Sequence, residues 1–222
     1  MPEVIKNISV LMPAYNCGKY ISAAIRSILS QTFNNFEVII IDDGSTDDTE
    51  TIVTGFEDKR LNYIRIQHSG TAAALNFGIS KCSYDWIARI DADDLNIPDR
   101  LEKQVQYLAK NPDIDILSSW SVYFRDPARI LFFLNEPLNH DEIHKYLDLH
   151  NPLNQSAMIC RKNIFERFKF NESLDSNEDY GLLYRLRDYY TLGNMPEYLV
   201  YTRLRPDSRT AAGSRDNLYD ML

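Results

Sequence analysis

Asp91-Ala92-Asp93-Asp94 puts three carboxylates into four residues, directly after the apolar run Trp86-Ile87-Ala88-Arg89-Ile90. Acids this close repel one another unless a cation sits between them. A hard divalent ion held by two carboxylate oxygens, with its remaining positions on phosphate, is the natural occupant; a plain Asp-rich turn is the alternative. The apolar run reads as a buried strand, and Asp is a poor strand former. The sheet should therefore stop here and leave the acids at its carboxyl edge, where open α/β sheets place their ligands.

Two further loops follow apolar runs in the same way: Pro13-Ala14-Tyr15-Asn16 after Ile8–Met12, and Asp42-Asp43-Gly44-Ser45 after Phe36–Ile41. Three loops on one edge favour a single pocket over three unrelated turns. Pro13 should end its strand and expose backbone groups able to pair with a flat heterocycle. Gly44 permits a tight turn, and an inward Asp43 could accept the imide N–H of a pyrimidine base or serve instead as a helix cap. Glu178-Asp179-Tyr180 opens a helix with Leu182, Leu183 and Leu186 on its core side, where acids ordinarily stabilise the helix dipole. Tyr201-Thr202-Arg203-Leu204-Arg205-Pro206 ends a late strand with two arginines on one face, suited to clamping phosphate unless the strand is a solvated edge.

Spacing excludes several other chemistries. A calcium-binding EF-hand loop starting at Asp91 has Leu95 and Asn96 where an acid or Asn and then Gly are required. No GxGxxG follows the first strand, no GxxxxGK[ST] occurs, and no GxSxG or paired Cys/His arrangement is present. Cys17, Cys82 and Cys160 are scattered and read as free thiols. His140 and His144, four apart on an expected helix, read as an exposed pair.

The elements that position these loops alternate. Residues 18–30 carry Ile21, Ala24, Ile25, Ile28 and Leu29 at helical spacing. Ser45 or Thr46 should cap a helix with Asp47, Asp48 and Glu50 in its first turn. Leu61–Ile66 reads as a strand, Ala72–Ile79 as a helix and Trp86–Ile90 as a strand. Pro98 should begin a helix with Leu101, Val105 and Leu108 inward, and Ile114–Ser119 another strand. This βαβ alternation indicates a mainly parallel, Rossmann-like sheet flanked by helices. Beyond residue 120 short strand-like runs with Tyr123, Phe124, Phe132 and Phe133 and a charged helix from His140 to Leu149 suggest an α+β half. One domain over 1–222 is expected, with two functional halves, 1–119 and 120–222.

The 222 residues carry a net charge of −8 from 24 basic and 32 acidic residues, which argues against nucleic acid as the main partner. Arg203, Arg205, Arg209 and Arg215 form a local basic cluster. Met1-Pro2-Glu3 lacks a basic start, and no run approaches the ~18 apolar residues of a membrane helix. A cytoplasmic protein is expected, docked peripherally at the inner face of the membrane if its acceptor is lipid-linked.

In order and nearly throughout, the chain resembles family 2 glycosyltransferases of the GT-A fold. The resemblance is carried by Ile8–Asn16, Ser27–Phe33, Glu37–Thr49 (EVIIIDDGSTDDT), Gly70–Gly78 (GTAAALNFG), the DxD element at Asp91–Asp94, Asn151–Lys162 and Glu178-Asp179-Tyr180. It implies that Pro13, Ala14, Tyr15 and Asp43 hold the nucleotide base, usually uridine. It also implies that Asp91 lies near the ribose and metal, that Asp93 ligates Mn²⁺ or Mg²⁺ bridging the diphosphate, and that Asp179 is the general base of an inverting transfer. Two positions depart from the family: Arg205 stands where members often carry a metal-proximal His, and Asn154-Gln155 where many carry His-Pro.

The expected activity is sugar transfer from a nucleotide-sugar, in all expectation a UDP-sugar, to a hydroxyl of a glycan or glycolipid acceptor in surface polysaccharide or glycolipid assembly. The alternatives are a non-catalytic sugar-nucleotide-binding protein and a nucleotidyltransferase, distinguished by release of UDP or of pyrophosphate.

Overall fold

The computed structural model describes residues 5–126, 129–174 and 177–205, so Pro206, Arg209 and Arg215 lie outside the described residues. The first half builds β1 (Ile8–Ala14), α1 (Gly18–Leu29), β2 (Phe36–Asp42), α2 (Thr49–Thr54), β3 (Leu61–Arg65), α3 (Thr71–Lys81) and β4 (Trp86–Arg89). These strands lie in the order β3-β2-β1-β4, all parallel, with Val10 opposite Val38 and Leu11 opposite Arg89. Helices cover both faces, which is why the strands are apolar throughout rather than alternating. Val10, Met12, Val38 and Ile40 face Ile21, Ile25 and Ile28 of α1. Leu11, Ile39 and Ile41 face Leu75 and Ile79 of α3.

Pro13 does not stop the first strand, contrary to the sequence expectation. It pairs with Ile41, and the strand runs on to Ala14. The Leu11 carbonyl accepts from the Ile90 N–H, so odd residues of β1 turn their backbone groups toward β4. Because β4 ends at Arg89, the missing Pro13 N–H deprives no ladder partner. The second helix likewise starts later than expected. It begins at Thr49, and Asp47, one of the acids assigned to its first turn, lies ahead of it, accepting from the Thr49 N–H at 3.0 Å through Oδ1 and from the Gly18 N–H at 2.9 Å through Oδ2.

After β4 come β5 (Leu95–Asn96), α4 (Arg100–Lys110), β6 (Ile116–Asp126), β7 (Arg129–Leu134), α5 (His140–Tyr146), a 3₁₀ turn at Gln155–Ala157, β8 (Ile159–Arg161), α6 (Lys162–Arg167), α7 (Glu178–Leu186) and β9 (Leu192–Arg203). They extend the sheet as β4-β8-β6-β9-β5, with β7 on the outer part of β6. Here the pairing is mixed: β6 with β9 is parallel, while β8 and β7 are antiparallel to their neighbours. The helix expected from Pro98 begins at Arg100, and the strand expected over Ile114–Ser119 is shifted and longer. Register breaks around Trp120 let β6 change which residues face α7. Cys17, Cys82 and Cys160 are buried free thiols, as the sequence implied.

Gly78 marks where α3 meets the sheet. A Cβ there would lie 2.4 Å from Leu11 Cδ1 and 2.9 Å from Ile41 Cγ1, both on fully buried residues. Alanine in a helix interior ordinarily gains about 1 kcal/mol over glycine, but overpacking a close-packed core costs about 1–3 kcal/mol. Gly78→Ala is therefore expected to lose roughly 1 kcal/mol net, read as a lower urea midpoint at unchanged slope. A raised midpoint would show that α3 is not held against Leu11 in this way.

Candidate active site

The acids at 91–94 do sit at the carboxyl edge of β4, and each is braced differently. Asp94 is buried and its Oδ1 accepts from the Arg203 N–H at 2.7 Å. Burial, then the charges of Asp93 and Asp91, push its carboxyl well above the usual range. Asp93 forms an ion pair with Arg205 Nε at 2.9 Å. Its carboxyl is also pushed up, by burial and then by Asp91, with Arg205 opposing. Asp91 is more open, with 42% of its side chain exposed, and pairs with Arg89 Nη2 at 2.7 Å while its N–H donates to Ser156 Oγ.

Behind the turn lies a second guanidinium. Arg100 is fully buried; its Nη2 donates to the carbonyls of Arg89 (2.8 Å) and Met158 (3.3 Å), its Nε to Gln104 Oε1, and its Nη1 to Asn96. Burial lowers its pKa to about 9, against the opposing field of Asp94. Arg203 is buried as well, donating from Nε to the Asp93 carbonyl at 2.9 Å with its guanidinium over the Tyr20 and Phe124 rings. The expectation that Arg203 and Arg205 form a phosphate clamp is therefore corrected for Arg203, whose guanidinium supports the turn. The solvated-edge alternative falls too, because β9 lies between β6 and β5.

Among the described residues, no three His, Cys, Asp or Glu side chains converge on a preformed metal cage. Mg²⁺ or Mn²⁺ bridging a phosphate needs only one or two carboxylates. The donor set fits that pattern: Asp91 is close enough to disfavour the charge of Asp93, and is itself exposed on the same edge.

The other two loops meet beside this turn. Ala14 gives its carbonyl to the Asp43 N–H at 2.8 Å, and the Asn16 N–H donates to Ser45 Oγ at 2.9 Å. Tyr15 is 44% exposed and stacks on His68, centroids 4.2 Å apart and planes 17° apart. Asp43 is nearly buried. Its carboxylate accepts from the Ser69 N–H (2.8 Å) and the Gly70 N–H (2.9 Å), and lies 2.8 Å from His68 Nδ1. Asp43 thus holds the Ser69–Gly70 turn that leads into α3 and does not cap α2. Gly44 has φ 72°, and a Cβ there would lie 2.9 Å from the His68 nitrogen, so the turn and the His68 loop can close only around glycine.

Asp179 stands at the start of α7, held by Asn151 Nδ2 at 3.0 Å. Burial and then the neighbouring Glu178 push its carboxyl up, and Asp91 and Arg89 both act on it electrostatically. The candidate base and the acid turn therefore share one site. Asn154 is committed to structure, donating to Ser121 Oγ (2.6 Å) and Thr202 Oγ1 (2.8 Å). Gln155 is buried, and neither amide atom has a hydrogen-bond partner from the described protein. His140 and His144 are not a loose exposed pair: the rings meet edge to face, His144 reaches Asp188 at 2.8 Å, and His140 accepts from the Leu192 N–H.

The residues missing from the sequence reading are Arg89, Arg100, Asn151, Ser156 and His68. A charge inside the apolar run Trp86–Ile90 is a readable sign for Arg89. Asn151 and Ser156 lie in the Asn151–Lys162 segment of the family resemblance without a role of their own, and Arg100 and His68 are brought in by tertiary contacts with no local signal.

A family model described as glycosyl transferase family 2 matches residues 9–173. An uncharacterised glycosyltransferase of Haemophilus influenzae is 34% identical over 210 residues, covering 89% of this chain and 65% of its own length. The O-antigen biosynthesis glycosyltransferase WbnJ of Escherichia coli is 30% identical over 189 residues, covering 83% of this chain and 73% of its own. In structure, S. aureus TarS in complex with UDP-GlcNAc matches with a TM-score of 0.76 at 20% identity, over 93% of this chain and 61% of that one. Mannosyltransferase PcManGT from Pyrobaculum calidifontis, in complex with GDP-Man and Mn²⁺, matches with a TM-score of 0.71 at 18% identity, over 94% and 60%.

Removing the Arg100 guanidinium leaves the Arg89 carbonyl and the Asn96 and Gln104 side-chain oxygens without their donor, and leaves Asp94 facing less positive charge. Arg100→Met fills similar volume, so the loss should come from unpaired buried polar groups, about 3–5 kcal/mol. Urea unfolding measures it; a loss below ~1 kcal/mol would mean that Arg100 braces nothing.

Proposed function

The chain belongs to glycosyl transferase family 2 and has the GT-A fold, and from that premise we propose that it catalyses inverting transfer of a sugar from a UDP-sugar to an acceptor hydroxyl. One observation carries the reading: the acid turn, the Asp43 loop and Asp179 open on one edge of the sheet, with Asp179 in the field of Asp91 and Arg89. Pro13, Ala14 and Tyr15, with Asp43 behind them, form the base-binding wall. The Tyr15–His68 stack offers a flat face, and Asp43 fixes the loop that carries His68. Asp91 and Asp93 are the residues that would hold Mn²⁺ or Mg²⁺. When bound, that ion supplies a Lewis acid that offsets charge on the departing diphosphate. Arg205 adds a permanent positive charge beside Asp93, suited to the same diphosphate.

Asp179 then removes the acceptor proton. Its burial favours a basic, proton-accepting carboxylate, and Asn151 fixes one of its oxygens so that the other can face the hydroxyl. Assembly of a surface polysaccharide or glycolipid is the setting we assign, supported by likeness to an O-antigen biosynthesis enzyme. No helix among the described residues is long and apolar enough to cross a membrane, so a lipid-linked acceptor would be met by peripheral docking.

Asp93→Asn should weaken UDP binding in Mn²⁺ while leaving metal-free binding and the fold intact, as isothermal calorimetry with and without Mn²⁺ reads. Equal metal-dependent affinity in both proteins removes Asp93 from the site. Asp179→Asn should cut single-turnover transfer by about 10²–10⁴-fold at saturating donor, with donor affinity little changed. The base works ionised, and its raised pKa means that activity falls as pH drops while ordinary carboxylates are still charged. The acid limb of the parent's kcat/KM profile should therefore lie above the ordinary Asp value of about 3.9. A near-parental rate in Asp179→Asn removes it as the base.

A further inference from the structure

We infer that the surface formed by Tyr123, Phe132, Glu136 and His150 is the acceptor subsite and that it takes a hydroxylated sugar ring; this rests on the transferase reading and names its second substrate. The register breaks around Trp120 turn Ser121 and Tyr123 toward the α7 face. The turn is confirmed by Asn154, which bonds both Ser121 and Thr202, the residue paired with Tyr123. Across the hairpin Phe132 stacks on Tyr123, centroids 4.7 Å apart and planes 13° apart, with Phe132 open to solvent. A flat aromatic surface therefore lies on the side of the sheet that carries Asp179.

Polar groups border it. Glu136 is 13% exposed and lies 3.3 Å from His150 Nε2, whose ring is 38% exposed and meets the edge of Tyr146. Both segments are pinned. The Glu136 carbonyl accepts from Trp120 Nε1 at 2.9 Å, and Asn194 Nδ2 ties the Pro137 carbonyl to that of Pro152. His150 immediately precedes Asn151, the partner of Asp179. Burial raises the Tyr123 hydroxyl, and the charges of Asp94, Glu136 and Asp179 raise it further. It stays protonated and so able to donate a hydrogen bond.

This combination selects a sugar. The polarised C–H face of a pyranose suits an aromatic ring face, and its hydroxyls suit a Glu–His pair. An alkyl chain laid here would desolvate Glu136 without giving it a hydrogen bond. A phosphate would meet a carboxylate of like charge.

The test uses the full chain with UDP and Mn²⁺, probed by saturation-transfer NMR with methyl glycopyranosides and with n-octanol. The glycosides should bind and octanol should not. Glu136→Gln and Phe132→Leu should each weaken glycoside binding about tenfold, with unchanged UDP affinity serving as the check on folding. Unchanged glycoside affinity in both variants overturns the assignment, as does octanol binding in place of glycosides or failure of every glycoside to bind the UDP-loaded parent. Failure of UDP itself to bind is a separate result, because it overturns the transferase reading on which the subsite rests.

Discussion

The site depends on how three crowded carboxylates are kept at the end of a buried strand. Burial raises the proton affinity of Asp93 and Asp94, and the charge of Asp91 adds to it at both, with Asp93 adding further at Asp94. An unbraced cluster of this kind would protonate or turn out to solvent. Four arginines prevent that from four directions: Arg89 within β4, Arg100 from α4, Arg203 at the end of β9 and Arg205 just beyond it. Two of them are bonded to backbone carbonyls as well as acting by charge, so they fix where the turn sits.

The same bracing explains why the second half of the chain must join the sheet. Arg203 reaches Asp93 and Asp94 only because β9 inserts between β6 and the short β5, whose residues Leu95 and Asn96 follow the acid turn directly. Ser156, from the 3₁₀ turn before β8, holds the Asp91 N–H. Donor-side acids and acceptor-side strands are thus one structural unit, and Asn151 carries the connection on to Asp179. A change at either end of this chain of contacts shifts charge at the other.

What could be read in the sequence follows from how local the cause was. The β1 to β4 alternation and the acids at the end of β4 are set by apolar runs and poor strand formers, and both appear where the pattern places them. Pro13 misled because its effect depends on how far the neighbouring β4 extends. Asp47 misled only in part: one carboxylate oxygen accepts from Thr49 at the start of α2, while the other serves Gly18, 29 residues away. Asp43 left two roles open, and only the fold shows that its carboxylate holds the Ser69–Gly70 turn ahead of α3. The facing of Tyr123 and the burial of Arg100 were not legible at all: one follows from a register break between strands, the other from contacts with three separate elements.

Arg205 is where this chain departs most from its family, and charge balance says what the change does. A histidine can ligate a cation; a guanidinium cannot, but its charge is independent of pH and it carries five N–H donors in one plane. Its pairing with Asp93 runs through Nε at 2.9 Å, with the guanidinium over the Tyr20 ring. Arg205 and a divalent ion are therefore not rivals for one role. The ion needs Asp93 ionised, and Arg205 opposes the burial and the Asp91 repulsion that disfavour that ionised form. Under the proposed function, the substitution would trade a direct metal contact for a charge that favours the ionised form of Asp93.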